Sequence, residues 1–366
     1  MMTTLRIHDF RCFRKLTVEG LTRVSLLVGA NNAGKTSVLE AAELILGGTS
    51  PAALLFSTRK RGETVIVRGD PVTPGRRYAE VNHLFRGHDL KPGTSFEIEG
   101  LLSNGSRFFS CKVIPRPSGT LEGDEETPPP ELFRPGSNLA LSISADWMSP
   151  DAYVFPLVGY GVKERLLVNA ITKPIGKPWK VRFMETAAPP VSALQALWDD
   201  VVLTPEEEKA TNALQIIEPD IERLAALSVS RSEMGGGMFV KLKGSDERIP
   251  LGSMGEGIKR LLAVSLNLVS SAGGYLLVDE IDTGLHHSVM TRMWRLVVEA
   301  ARRLDVQVLA TTHSLDCVRA LASLYEESPN VRDLISLHRI ERGAEASVPY
   351  SADEILAAAQ HQMELR

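Results

Sequence analysis

Along residues 5–28 polar and apolar positions first alternate (LRIHDFRCF) and then become continuously apolar (RVSLLV), which predicts a hairpin followed by a buried strand ending at Gly29. Helical spacing follows over residues 36–46. Between residues 64 and 112, the short β-branched or aromatic runs TVIV, SFEIEG and SRFFSCKV, separated by Gly and Pro, predict antiparallel strands. Residues 115–136 hold six prolines, three glycines and an acidic run, the composition of an exposed mobile loop. Helical periodicity over 191–227 predicts a helical insertion, with β runs at 227–230 and 238–242 leading back. Over 251–314 a helix, the strand YLLVDE, another helix and the strand VQVLATT alternate, which implies a parallel sheet. The expected organisation is an α/β core from 1–48 and 250–366, an antiparallel β region at 49–190 and a helical insertion at 191–249.

Composition narrows the function classes. A formal charge of -4 over 366 residues gives no global basic field, so any nucleic-acid surface must be local. Cys12, Cys111 and Cys317 lie far apart, with no zinc-type spacing, and suit a reducing cytoplasm. The chain opens MMTTLRIHDF, without an apolar signal core, and its most apolar stretch, 261–278, is interrupted by Ser265, Asn267, Ser270, Ser271, Gly273 and Gly274. The expectation is a cytoplasmic protein with no membrane span.

The chemistry begins at the first strand's end. Gly29 to Thr36, GANNAGKT, fits the phosphate-cradling pattern of two glycines separated by four residues and followed by Lys and Ser or Thr. The glycines permit a tight turn, and the helix N-terminus with its free N–H groups faces phosphate. Lys35 neutralises phosphate oxygens and Thr36 offers a hydroxyl to Mg²⁺; the strand before and the helix after are the context this loop requires. In GGYLLVDEID, Asp279 and Glu280 stand at a strand's C-terminal end, where open α/β sheets bind ligands. Asp279 suits the Mg²⁺ shell and Glu280 the polarisation of an attacking water. In VQVLATTHS, His313 ends another strand within reach of a γ-phosphate. LGSMGEG places Ser253, Gly255 and Gly257 before an amphipathic helix, read either as a Ser cap or as a second anion site serving another subunit's nucleotide.

In this order, GANNAGKT, LGSMGEG, YLLVDEID with GLHHS, and ATTHS resemble the ABC-type ATPases of the SMC, RecF and OLD group. LRIHDFRCFRKL and DEIDTGLHHS are most similar to the OLD-like AAA ATPases. The resemblance implies a P-loop head with a mixed central sheet that binds ATP and Mg²⁺ and hydrolyses ATP. Matched by position, it assigns nucleotide contacts to Gly29, Asn31, Asn32, Gly34, Lys35, Thr36 and Ser37, and metal to Thr36 and Asp279. Glu280 and His313 are catalytic, Ser253 and Gly255 act in trans in a head-to-tail homodimer, and His286 lies in the segment crossing the dimer interface. Ser253-Met254-Gly255-Glu256 replaces the usual Ser-Gly-Gly-Gln, and the metal-contacting glutamine of the group has no obvious counterpart, His83 and His88 being the nearest candidates. Neither the long heptads of SMC proteins nor the Asp-x-Asp of a Toprim nuclease occurs, which implies a head controlling a separately encoded nuclease in phage defence. A RecF-like DNA clamp is the alternative, and a small-molecule kinase lacks support from LGSMGEG and His313.

Two local features bear on DNA. Lys163, Arg165, Lys173, Lys177, Lys180 and Arg182, with Trp179 among them and only Glu164 opposing, form a basic stripe able to meet phosphates and stack on bases, or else a solvated strand pair. Arg59, Lys60 and Arg61 share that ambiguity, and Glu207-Glu208-Lys209 reads as a solvated helix face.

Overall fold

The computed structural model describes residues 1–48, 50–67, 76–118, 138–148, 152–170, 179–227, 237–361 and 363. Its centre is a six-stranded sheet in the order Val181–Met184, Tyr275–Val278, Gln307–Thr311, Val24–Val28, Ile335–Arg339, Val348–Tyr350. The first five strands run parallel and the last antiparallel, a mixed sheet. Val24–Val28, Tyr275–Val278 and Gln307–Thr311 are buried at every position, which explains their unbroken apolar runs. Alternation sends Leu26, Val278 and Ala310 into one core with the helices Glu256–Ser270, His287–Arg303 and Leu315–Glu327. Leu27, Leu277 and Leu309 enter a second core with the helix Lys35–Gly47.

That second core is closed by a nine-stranded antiparallel sheet, which begins with the hairpin Met2–His8/Lys15–Glu19 and ends at Thr64–Val67. Lys35–Gly47 is thus held between two sheets; Gly100 lies so near it that a Cβ there would stand 3.4 Å from Ile45. Most of 115–136, the stretch read as a mobile loop, falls outside the described residues.

Two elements differ from the periodicity. The helices Val191–Asp199 and Pro205–Leu214 form where expected, but Ile221–Leu227 is a strand paired with Gly237–Leu242. A register irregularity between Ile221 and Arg223 lets both Ile221 and Leu224 face inward, so a bulged strand mimics the helical spacing of three. Val181–Met184, inside the stretch read as antiparallel, instead forms the edge of the central sheet, parallel to Tyr275–Val278. Among the described residues no helix is long and apolar enough to cross a membrane.

Candidate functional site

The parallel topology brings the C-terminal ends of four strands to one place. Val28 runs into Gly29, Val278 into Asp279, Thr311 toward His313, and Met184 toward Thr186. Gly29 has φ 145°, and a Cβ on it would lie 2.3 Å from the Ile340 carbonyl oxygen. At Gly34, φ is 99° and a Cβ would meet Phe13 Cζ at 2.4 Å. Both positions therefore demand glycine. Asn32 takes φ 61°, the left-handed region that Asn tolerates better than most side chains. Lys35 Nζ donates to the carbonyls of Gly29 at 2.7 Å and Ala30 at 2.9 Å, which holds the ammonium across the loop. Burial pushes its pKa down, and the carboxylates of Glu280 and Asp279 pull it partly back.

Asp279 receives three hydroxyls. Thr36 Oγ1 lies 3.1 Å from both carboxylate oxygens, Thr311 Oγ1 donates to Oδ1 at 2.7 Å, and Thr186 Oγ1 to Oδ2 at 3.1 Å. Glu280 sits at φ 48°, costly for a residue with a Cβ, and its N–H donates to Thr311 Oγ1 at 2.8 Å. This backbone turn carries its carboxylate to His313, whose Nδ1 is 2.9 Å from Oε1. The two adjacent carboxylates thus have different partners, hydroxyls at Asp279 and the His313 imidazole at Glu280.

These groups border a cleft of about 490 Å³ lined by Asn31 to Ser37, Asp279 and Glu280, together with Arg11, Cys12, Arg61, Glu63, His83 and His88. The sequence reading did not single out Arg11 or assign Arg61 to the site. Arg11 Nε and Arg61 Nε both donate to Glu40, buried on the phosphate-loop helix, at 3.1 and 2.6 Å, and Arg61 also reaches Ser37 Oγ at 3.3 Å. Their spacing from the loop in sequence hides this convergence. His83 and His88 meet each other, Nδ1 to Nδ1 at 3.3 Å, on the cleft wall. The sequence reading did not single out Thr186 either, whose hydroxyl stands beside Asp279.

Arg260 is the other residue the sequence concealed. Its guanidinium, 1% exposed, donates to the carbonyls of Glu185 at 2.7 Å and Thr186 at 3.2 Å through one nitrogen. The other donates to Asp279 and Glu280 carbonyls, both at 2.7 Å. Burial pushes its pKa down to about 10 despite the nearby Asp282, Asp279 and Glu280.

Ser253 and Gly255 stand elsewhere. Ser253 is in a single turn, Leu251–Met254, and Gly255, at φ 89°, precedes the helix Glu256–Ser270 and faces open space. Neither lines the cleft of its own chain among the described residues. His286 caps His287–Arg303 and stacks near His287, ring centroids 4.1 Å apart.

The smaller basic cluster and Trp179 are engaged within the chain. Arg59 pairs with Glu164, Lys60 with Glu43 and Arg61 with Glu40. Trp179 packs against Tyr275 at 5.6 Å between centroids, and Arg107 lies 3.8 Å from the Trp179 centroid, so this ring is engaged internally. Lys173 and Lys177 lie outside the described residues.

Comparison with known proteins agrees with this geometry. Residues 180–317 match the family described as "AAA domain, putative AbiEii toxin, Type IV TA system", and residues 4–101 match an AAA domain family. The chain is 20% identical over 353 residues to an ATP/GTP phosphatase of Helicobacter pylori, covering 89% of each protein. It is 23% identical over 341 residues to the OLD nuclease of Thermus scotoductus, covering 86% of this chain but 59% of that protein. Among solved structures, an Smc head bound to the C-winged helix domain of ScpA superposes with TM-score 0.52 at 12% identity, covering 96% of this chain and 97% of that one.

Proposed function

Because the chain belongs to the OLD-like, SMC-related ABC-type ATPases and hydrolyses ATP, we propose that it is a nucleotide-driven switch whose two heads close head to tail around ATP. One observation carries this reading: each chain holds Lys35, Thr36, Asp279, Glu280 and His313 together, while Ser253 and Gly255 are not among the residues lining that cleft. A site so divided is completed by a second copy.

In that closed state the loop N–H groups and Lys35 hold the phosphates, and the site presents hard oxygen donors, the Thr36 hydroxyl and Asp279 carboxylate, that suit Mg²⁺. The metal, when bound, screens phosphate charge. Glu280 orients and deprotonates the water, His313 holds Glu280 in place and senses the γ-phosphate, and the partner's signature segment supplies its anion-binding turn. The closing reports to an effector, which we take to be a separately encoded nuclease of phage defence.

Glu280→Gln tests the reading. ATP turnover should fall at least 100-fold, by analogy with loss of a catalytic base, while ATP binding persists and an ATP-dependent dimer accumulates in sedimentation velocity. A variant that remains monomeric with ATP and turns over normally overturns it.

A further inference from the structure

Three hydroxyls surround the Asp279 carboxylate, but they are not equivalent. Thr311, fully buried, spends its hydrogen on Asp279 Oδ1 and accepts the Glu280 N–H, so its oxygen is occupied from both sides. Thr36 and Thr186 each donate to Asp279 and are only partly buried, and Thr36 lines the cleft. Thr36 comes from the phosphate-loop helix and Thr186 from the end of the edge strand Val181–Met184, so the carboxylate stands between two similar hydroxyls delivered by different elements.

The position of Thr186 is built rather than incidental. The Asp279 N–H donates to the Met184 carbonyl at 2.8 Å, extending the parallel ladder beyond Val278. Arg260 then ties the Glu185 and Thr186 carbonyls to those of Asp279 and Glu280 through one rigid guanidinium. A buried cation with four carbonyl acceptors fixes the Thr186 backbone beside Asp279, and from there the hydroxyl reaches the carboxylate at 3.1 Å.

We propose that Thr186 is part of the metal seat: its hydroxyl orients Asp279 Oδ2 and offers an oxygen to the cation or its bound water, as Thr36 does from the other side. This rests on the nucleotide-and-metal reading of the cleft and adds a residue to it. Mg²⁺ and Mn²⁺ take octahedral oxygen shells in which a few protein groups share the coordination sphere with phosphates and water, and a second hydroxyl fits that demand. His83 and His88, engaged with each other, are then not metal groups.

The test uses the full chain, ATPγS and Mn²⁺ as the probe, with bound Mn²⁺ counted by electron paramagnetic resonance. Thr186→Val should raise the Mn²⁺ dissociation constant in the ATPγS complex about tenfold, the lower end of losses seen on removing groups that support a metal site. ATPγS affinity measured in EDTA should stay within about twofold, because the phosphate loop itself is untouched. Thr186→Ser, which keeps the hydroxyl and removes the methyl, should restore Mn²⁺ affinity. Unchanged Mn²⁺ affinity in Thr186→Val, an equal loss in Thr186→Ser, or an equal loss of metal-free nucleotide affinity each overturns the assignment. If the wild-type chain binds ATPγS yet takes up no Mn²⁺ with it, the metal reading of the whole site fails, a result distinct from failure at Thr186 alone.

Discussion

His338 shows how a single residue sets a condition on the whole fold. It lies on Ile335–Arg339, a strand of the central sheet, 1% exposed, with Nε2 3.0 Å from Ser336 Oγ. Burial pushes the imidazole down to about 4 from the usual 6.5. Between those values the unfolded chain binds a proton that the native chain refuses, so stability is complete above about pH 6.5 and is lost as pH falls toward 4, by about 3 kcal/mol in total. In urea unfolding followed by circular dichroism, the wild-type midpoint should drop between pH 7 and 4.5 more steeply than that of His338→Gln. Parallel curves for the two proteins would assign the acid sensitivity to other groups. At the same scale, Lys35, Thr36, Asp279, Glu280 and His313 were readable in the sequence because each sits in a short contiguous motif whose chemistry dictates residue type. Thr186 and Arg260 were not, since ETAA and IKRL carry no pattern of their own and acquire meaning only where two strand ends and a helix meet.

Elements were legible in proportion to how uniform their surroundings are. Strands buried on both faces showed as unbroken apolar runs, and the helix after the phosphate loop resumed at helical spacing. Ile221–Leu227 was misread because its bulge moves two inward residues to a spacing of three, and its pairing partner lies beyond an intervening stretch. Val181–Met184 was placed with the wrong sheet because four residues cannot announce their neighbour. Beyond the ladder that pairs it with Tyr275–Val278, the end of that strand is tied to Asp279 and Glu280 by Arg260, carried on the helix that begins directly after Gly255. Arg260→Met keeps the stem but leaves four carbonyls without their donor, and should lower unfolding free energy by about 3–5 kcal/mol, the range for breaking a buried charged network. ATP turnover should fall with it, while nucleotide binding at the phosphate loop, measured below the melting transition, changes only severalfold. A variant as stable and active as wild type would remove Arg260 from the site.

At the scale of the whole molecule, the division of the site between two faces leads to a test by mixing. Lys35→Ala abolishes phosphate binding in its own cleft but leaves the signature turn intact, whereas Ser253→Arg blocks that turn but leaves its own cleft intact. Each homodimer should be inactive, since both of its composite sites contain one defective half. In a heterodimer the two defects fall in the same composite site, and the other site combines a sound Lys35 with a sound Ser253. Random pairing makes half the dimers mixed, each with one working site of two, so the mixture should recover up to about one quarter of wild-type turnover under closed two-fold symmetry. Recovery should rise with protein concentration, because it depends on association. A mixture that stays at the level of its inactive components, while sedimentation shows that the chains do pair, would mean that the signature turn does not serve a partner's nucleotide. The head-to-tail switch would then give way to a head that works alone.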